Sequence, residues 1–284
     1  MAVIIDGKAL AAEVDQDTKK QVDSLLKRGL EPHLVVILVG DNEASQIYVR
    51  NKSRRAEKLG IKSTVIKLDA DTSEQDLLDQ IEKLNTDDSV HAILVQMPLP
   101  DQINEFKVIE TISPKKDADG FNPVNVGRLS AGQMDHTPVA CTPKGIMKML
   151  EKYQVNVDGK NVVVVGRSNI VGKPMSYLLL NANATVTVAH SHTANLKQLT
   201  KTADILVVAV GKTHFIKVQD IKDDAVVIDV GMDRDENGKL TGDVEFSSAD
   251  KVASFITPVP KGVGPMTISM LMQQTVELAK WSKE

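Results

Sequence analysis

Residues 161–174, NVVVVGRSNIVGKP, constrain this chain more than any other stretch: four consecutive valines stop at a glycine, and a helix-compatible segment follows. A run of branched apolar residues suits a strand covered on both faces, as in a parallel sheet. Gly166 frees the backbone for a turn, Gly172 lets helix and sheet pack closely, and Pro174 fits an early helical position. This is the strand–turn–helix layout of a dinucleotide site, where N–H groups at the helix start hold a phosphate with help from the helix dipole. The glycine spacing is not G-x-G-x-x-G, so an ordinary strand-to-helix turn is the competing reading of this stretch alone.

A second strand, ATVTVAH, runs from Ala184 to His190 and ends about where a nucleotide fold presents its ribose-binding residue. An NAD enzyme usually has Asp or Glu there. This chain offers His190, Ser191 and His192, with Arg167 directly after Gly166. A carboxylate would repel a 2′-phosphate, whereas a guanidinium with a hydroxyl binds one, so the expected cofactor is NADP rather than NAD. The alternative for the two histidines is an exposed loop.

With 284 residues, 42% hydrophobic and 25% charged, the chain has the make-up of a globular protein of one large or two modest domains. A net charge of −4 argues against a general nucleic-acid or membrane-surface partner. No apolar run approaches the ~20 residues that cross a bilayer. The start, MAVIIDGKALAAEVD, shows no basic leader, and the single cysteine, Cys141, fits a reducing compartment; both point to a cytoplasmic protein. As a nucleophile Cys141 is a poor candidate, because a lone buried thiol is commonplace.

Strand-like runs begin at His33, Ser63 and Val90 and alternate with helical spacing over Ile47–Leu59, closed by Gly60, and over Glu74–Leu84. A polar stretch, about 113–144, leads into a second series: VVVVG, TVTVAH, DILVVAVG, AVVIDVG and FITPVP. The alternation predicts an α/β protein of two lobes, each with a mainly parallel sheet, the second Rossmann-like. Asn237 and Gly238 suggest a tight hairpin, and residues from about Met266 to Lys280 read as one long helix.

Tyr48 and Lys52 lie four apart, on one face of a helix. A Tyr-x-x-x-Lys pair serves short-chain dehydrogenases, but there it follows the nucleotide glycines, whereas here it precedes them. Its competing reading is a solvated face, given Arg50, Arg54, Arg55 and Lys58 nearby. Gln96 ends a buried strand at the carboxyl edge, where open α/β sheets place ligand-binding groups. Asp117 and Asp119 in KKDADG offer a carboxylate for paired N–H groups of a heterocycle, or simply an Asp-Gly turn. No metal-ligand spacing appears in the sequence, and no metal is expected.

The ordered set YVRNK, VQMPLP, KKDADGFNPVNVGRL, CTPKG, GRSNIVGKP, HSHT, DVG and TPVPKGVGPMT resembles the bifunctional methylenetetrahydrofolate dehydrogenase/methenyltetrahydrofolate cyclohydrolase family along essentially the whole chain. The resemblance implies oxidation of 5,10-methylenetetrahydrofolate with NADP and hydrolysis of the methenyl product to 10-formyltetrahydrofolate. It makes Lys52 the catalytic lysine, Tyr48 the ring-packing tyrosine, Gln96 the lysine's hydrogen-bonding partner and Asp119 the pterin-binding carboxylate. Arg167 and Ser191 fall near the 2′-phosphate, and Gly166 and Ser168 complete the phosphate turn. Met232 offers a backbone contact on the nicotinamide side, while Gly264, Pro265 and Thr267 lie in a glycine-rich loop beside the folate. It further implies a folate and catalytic domain over 1–139, an NADP-binding domain over 140–265, a helix 266–284 returning to the first domain, and a homodimer. Two positions depart from the family: Ala140 replaces the usual proline and Lys261 the usual glycine. A dehydrogenase without cyclohydrolase activity and a non-catalytic NADP-binding sensor are the alternatives; the second needs no base, so Lys52, Gln96 and Asp119 argue against it.

Overall fold

The computed structural model describes every residue except Asn237. Its strands are β1 (Val3–Ile4), β2 (His33–Val39), β3 (Lys62–Leu68), β4 (Ala92–Val95), β5 (Asn161–Val165), β6 (Thr185–Ala189), β7 (Ile205–Val208), β8 (Val226–Asp229), β9 (Asp233–Arg234), β10 (Leu240–Thr241) and β11 (Phe255–Ile256). Its α-helices are α1 (Gly7–Lys27), α2 (Glu43–Leu59), α3 (Glu74–Thr86), α4 (Glu105–Thr111), α5 (Pro123–Ser130), α6 (Cys141–Lys152), α7 (Gly172–Asn181), α8 (Leu196–Thr200), α9 (Phe246–Ala249) and α10 (Val263–Trp281). The chain forms two compact units: Glu13–Val139 with Ile268–Glu284, and Met1–Ala12 with Ala140–Thr267.

In the first unit three parallel strands stand in the order β3-β2-β4. All of β2 is buried, which is why its apolar run is continuous rather than alternating. Val35, Ile37 and Val39 of β2 pack with Leu77, Ile81 and Leu84, the helical-period face of α3. Because β3 and β4 flank β2 on opposite sides, the chain reverses direction across the sheet there, and a crevice is expected at the carboxyl ends. Asn42 caps α2 by accepting from Ser45 N (3.0 Å), and Gly60 closes it in the left-handed conformation. Within this unit the C-terminal helix is tied down by Gln274, which accepts from Val139 N (3.1 Å) and donates to Ala118 O (2.8 Å). Trp281 stacks on His136.

In the second unit six parallel strands stand in the order β1-β11-β8-β7-β5-β6. The chain leaves β5 for β6 on one side and returns to β7 on the other, so the switch point of a nucleotide fold lies between β5 and β7. The expected boundary at residue 139 assigns the N-terminus to the first lobe. Residues 1–12 instead group with the second, because β1 pairs with β11 through Val3–Phe255 and Ile4–Ile256. Helix α1 was not anticipated, and the stretch 113–144 holds a helix, α5, with Pro123 in its first turn and Asn122 as its cap. β9 and β10 pair antiparallel, with Gly238 at positive φ between them. Asn237, named with Gly238 for this hairpin, lies outside the described residues.

Candidate active site

Three separate segments of the first unit bring Lys52, Gln96 and Asp119 together. Lys52 projects from α2 and donates to Gln96 Oε1 at 3.0 Å. Gln96 directly follows β4, and its own Nε2 donates to Met97 O (2.7 Å), which fixes the amide so that its oxygen faces the lysine. Asp119 is delivered by a segment that runs beside β4: Ile93 N donates to Lys116 O (2.7 Å) and Ala118 N to Ile93 O (3.2 Å). Burial pushes the Asp119 carboxyl up to about 6, against the pull of the Lys52 charge and with Asp117 adding like-charge repulsion. Tyr48, one turn before Lys52 on α2, is 40% exposed, so its ring presents surface for a ligand to cover.

The structure separates the two aspartates that the sequence leaves as a pair. Asp117 is buried and accepts from Gly120 N, Asn122 N and Asn125 Nδ2, each at 2.9 Å, which makes it the internal tie of the turn. Asp119 is the half-buried one left to meet a ligand. Of the basic residues on α2, Arg55 is ion-paired with Asp15, while Arg50, Arg54 and Lys58 are exposed.

At the switch point of the second unit the glycines are fixed by contact. A Cβ on Gly172 would lie 2.2 Å from Gly166 O, and one on Gly166 would lie 2.3 Å from Ala209 O, at φ +129°. The turn therefore passes directly over the start of α7, with the end of β7 against it. Ser168 Oγ accepts from Val171 N (3.2 Å) and, at longer range, Gly172 N (3.4 Å), holding the turn in place. Arg167 and Ser191 are exposed at the carboxyl ends of β5 and β6. His190 N donates to Thr193 Oγ1 (2.8 Å) and His192 N to His190 Nδ1 (3.2 Å), so the histidines order the loop that presents Ser191. A glycine turn closed against backbone, with an exposed guanidinium and hydroxyl at the ends of two neighbouring strands, fits a phosphorylated dinucleotide.

Met232 is exposed just past β8, and its Sδ would lie 3.9 Å from a Cβ on Gly264. Gly264 and Pro265 form the first turn of α10, and Thr267 Oγ1 pairs with Thr142 Oγ1 at 2.8 Å. Lys261 adopts φ +87°, a region that favours glycine, while its carbonyl accepts from Lys8 N (3.0 Å). Lys261→Gly is expected to raise the unfolding free energy by about 1 kcal/mol, measured by urea denaturation. Ala140 is the buried N-cap of α6, with its carbonyl accepting from Lys144 N (3.0 Å). Asp229 and Asp243 carry only a weak local signal in the sequence, a carboxylate at the end of an apolar strand and another after a glycine.

A model described as "Tetrahydrofolate dehydrogenase/cyclohydrolase, catalytic domain" matches residues 5–119, and one described as "Tetrahydrofolate dehydrogenase/cyclohydrolase, NAD(P)-binding domain" matches residues 140–283. The "Bifunctional protein FolD" of Pediococcus pentosaceus is 66% identical over 282 residues, covering 99% of this chain and 100% of that one. The solved bifunctional FolD methylenetetrahydrofolate dehydrogenase/cyclohydrolase of Campylobacter jejuni is 47% identical, with a TM-score of 0.97 and 99% of each chain covered. The Trypanosoma brucei enzyme, solved in complex with NADP cofactor and an inhibitor, is 39% identical, with a TM-score of 0.94, covering 100% of this chain and 99% of that one.

Proposed function

The chain belongs to the tetrahydrofolate dehydrogenase/cyclohydrolase family, and on that premise we propose how its residues divide the work. It is a bifunctional enzyme that oxidises 5,10-methylenetetrahydrofolate to the methenyl cation with NADP and hydrolyses that cation to 10-formyltetrahydrofolate. The observation that carries the residue assignment is the 3.0 Å bond from Lys52 to Gln96 with the Asp119 carboxyl in the same electrostatic neighbourhood.

Bound NADP supplies the hydride acceptor. Arg167 and Ser191 would hold its 2′-phosphate, Gly166 and Ser168 its pyrophosphate, and the backbone of Met232 its nicotinamide side. Asp119 accepts from paired N–H groups of the pterin, and Tyr48 packs on the folate; together they hold the one-carbon bridge in a reactive position. Loss of hydride leaves a positive charge delocalised over the bridge carbon and two nitrogens. Gln96 orients the Lys52 side chain through their 3.0 Å bond. Lys52 takes a proton from the water that attacks the bridge carbon. Cleavage of the bond from that carbon to N5, as the new hydroxyl gives up its proton to form the carbonyl and N5 takes one up, then leaves the formyl group on N10. The family resemblance assigns Gly264, Pro265 and Thr267, in the first turns of α10, to folate binding.

The hydrolytic half is tested alone by supplying methenyltetrahydrofolate without NADP. Loss of the methenyl absorbance faster than in buffer supports the assignment; a rate equal to buffer removes it and leaves a dehydrogenase only. The raised Asp119 carboxyl adds a pH signature. As pH falls through about 6 the carboxylate takes up a proton and stops accepting from the pterin. Affinity for a non-reacting folate, read by calorimetry, is therefore expected to weaken below that pH, and Asp119→Ala to abolish the inflection. The family resemblance further supports a homodimer acting in the cytoplasm; among the described residues no helix is long and apolar enough to cross a membrane. Sedimentation at twice the chain mass is the expected result.

A further inference from the structure

Two buried carboxylates outside the assigned site link three turns at the carboxyl edge of the second sheet. Asp229, the last residue of β8, accepts from Gly231 N (3.0 Å) and Asp243 N (2.9 Å) on one oxygen and from Val244 N (2.9 Å) on the other. Asp243 in turn accepts from Val210 N (2.7 Å) and Gly211 N (3.3 Å) on one oxygen and from Lys212 N (2.7 Å) on the other. These donors belong to the turn after β7, whose Ala209 carbonyl sits against the Gly166 turn. Packing around the pair leaves no slack: a Cβ on Gly242 would lie 2.0 Å from Asp229 Oδ2, and one on Gly231 would lie 2.5 Å from the Asp243 carboxyl carbon. Asp229 is 3% exposed and Asp243 fully buried, so neither offers surface to a ligand. Six backbone donors converge on the two carboxylates and offset part of the cost of burying them, although burial still pushes the Asp229 carboxyl up to about 7.

In a doubly wound sheet the strands on the two sides of the switch point carry the two nucleotide halves. β5 and β6 present Arg167 and Ser191 for the phosphorylated adenosine half, which leaves β7 and β8 with the nicotinamide half. We propose that Asp229 and Asp243 act in series as positioning residues, fixing the turns 209–212 and 230–232 that wall the nicotinamide half of the cofactor crevice. The proposal rests on the NADP reading above and adds to it residues that never touch the nucleotide.

Calorimetric titration of Asp243→Asn with two probes tests it: NADP, and adenosine 2′,5′-bisphosphate, which lacks the nicotinamide half. Asparagine keeps the size and one acceptor oxygen but turns an amide N–H₂ toward a backbone donor. The expected result is an NADP dissociation constant raised about tenfold, with that of the bisphosphate changed by less than about twofold. Methenyl hydrolysis without NADP is expected to stay within about twofold of the parent, which reports that the protein is folded. Asp229→Asn, which disturbs the same chain of bonds one step earlier, is expected to repeat the pattern if Asp243→Asn does not fold. Equal weakening of both probes makes the pair a general structural brace and overturns the proposal, as does unchanged NADP affinity. Failure of the parent protein to bind the bisphosphate overturns the cofactor reading itself, a different result from either.

Discussion

Lys52→Gln is expected to slow methenyl ring opening by about 10²- to 10⁴-fold, the range over which a positioned general base contributes, while NADP affinity is unchanged. Glutamine keeps a polar side chain beside Gln96 but has no amine to take the proton from the attacking water. Lys52→Arg is expected to fail similarly, because a guanidinium stays charged and cannot accept a proton. Gln96→Ala frees the amine from its 3.0 Å tether and is expected to lower the same rate less severely. The measurement is decay of the methenyl absorbance in a stopped mixture, with the buffer rate subtracted. Undiminished ring opening in Lys52→Gln moves the base elsewhere.

Arg167→Ala is expected to weaken NADP by about tenfold and NAD by less than about twofold, because the guanidinium bonds only the 2′-phosphate. The side chain is exposed on a turn fixed from beneath by Ser168 and by contact of Gly166 with the end of β7, so its removal leaves the cradle standing. Ser191→Ala removes a neutral hydroxyl and is expected to shift the ratio in the same direction by less. Equal loss for both nucleotides would place Arg167 on the pyrophosphate rather than the 2′-phosphate. Dissociation constants from calorimetry, taken at one ionic strength, decide between these.

The parts of the fold that local pattern can encode were the parts legible in the sequence. β2, β5, β7 and β8 are buried on both faces and read as continuous apolar runs, and Gly60 closes α2 as its position suggested. β1 and β11 are two residues each, and the parallel pairing between them joins positions some 250 residues apart, which no local periodicity encodes. Helix α1 did leave a trace, since Leu10, Val14, Thr18, Val22 and Leu25 are its buried stripe. A glycine at its first position and frequent charges hid that stripe. In the site, the i,i+4 relation of Tyr48 and Lys52 was visible from spacing alone, whereas Lys52 and Gln96 meet only because α2 packs on β2 and Gln96 follows β4, the neighbour of β2. Asp117 and Asp119 look equivalent in KKDADG; what separates them is the turn conformation of the following residues, which converges three donors on Asp117 alone.

The most direct test of the whole account is to give the purified protein 5,10-methylenetetrahydrofolate with NADP or NAD and follow reduced nucleotide, methenyl and 10-formyl folate separately. The expected result is reduction with NADP in preference to NAD, followed by 10-formyltetrahydrofolate without methenyl accumulation beyond the uncatalysed control. Methenyl accumulation would contradict the role of Lys52, and nucleotide binding without turnover would contradict the assignment as an enzyme.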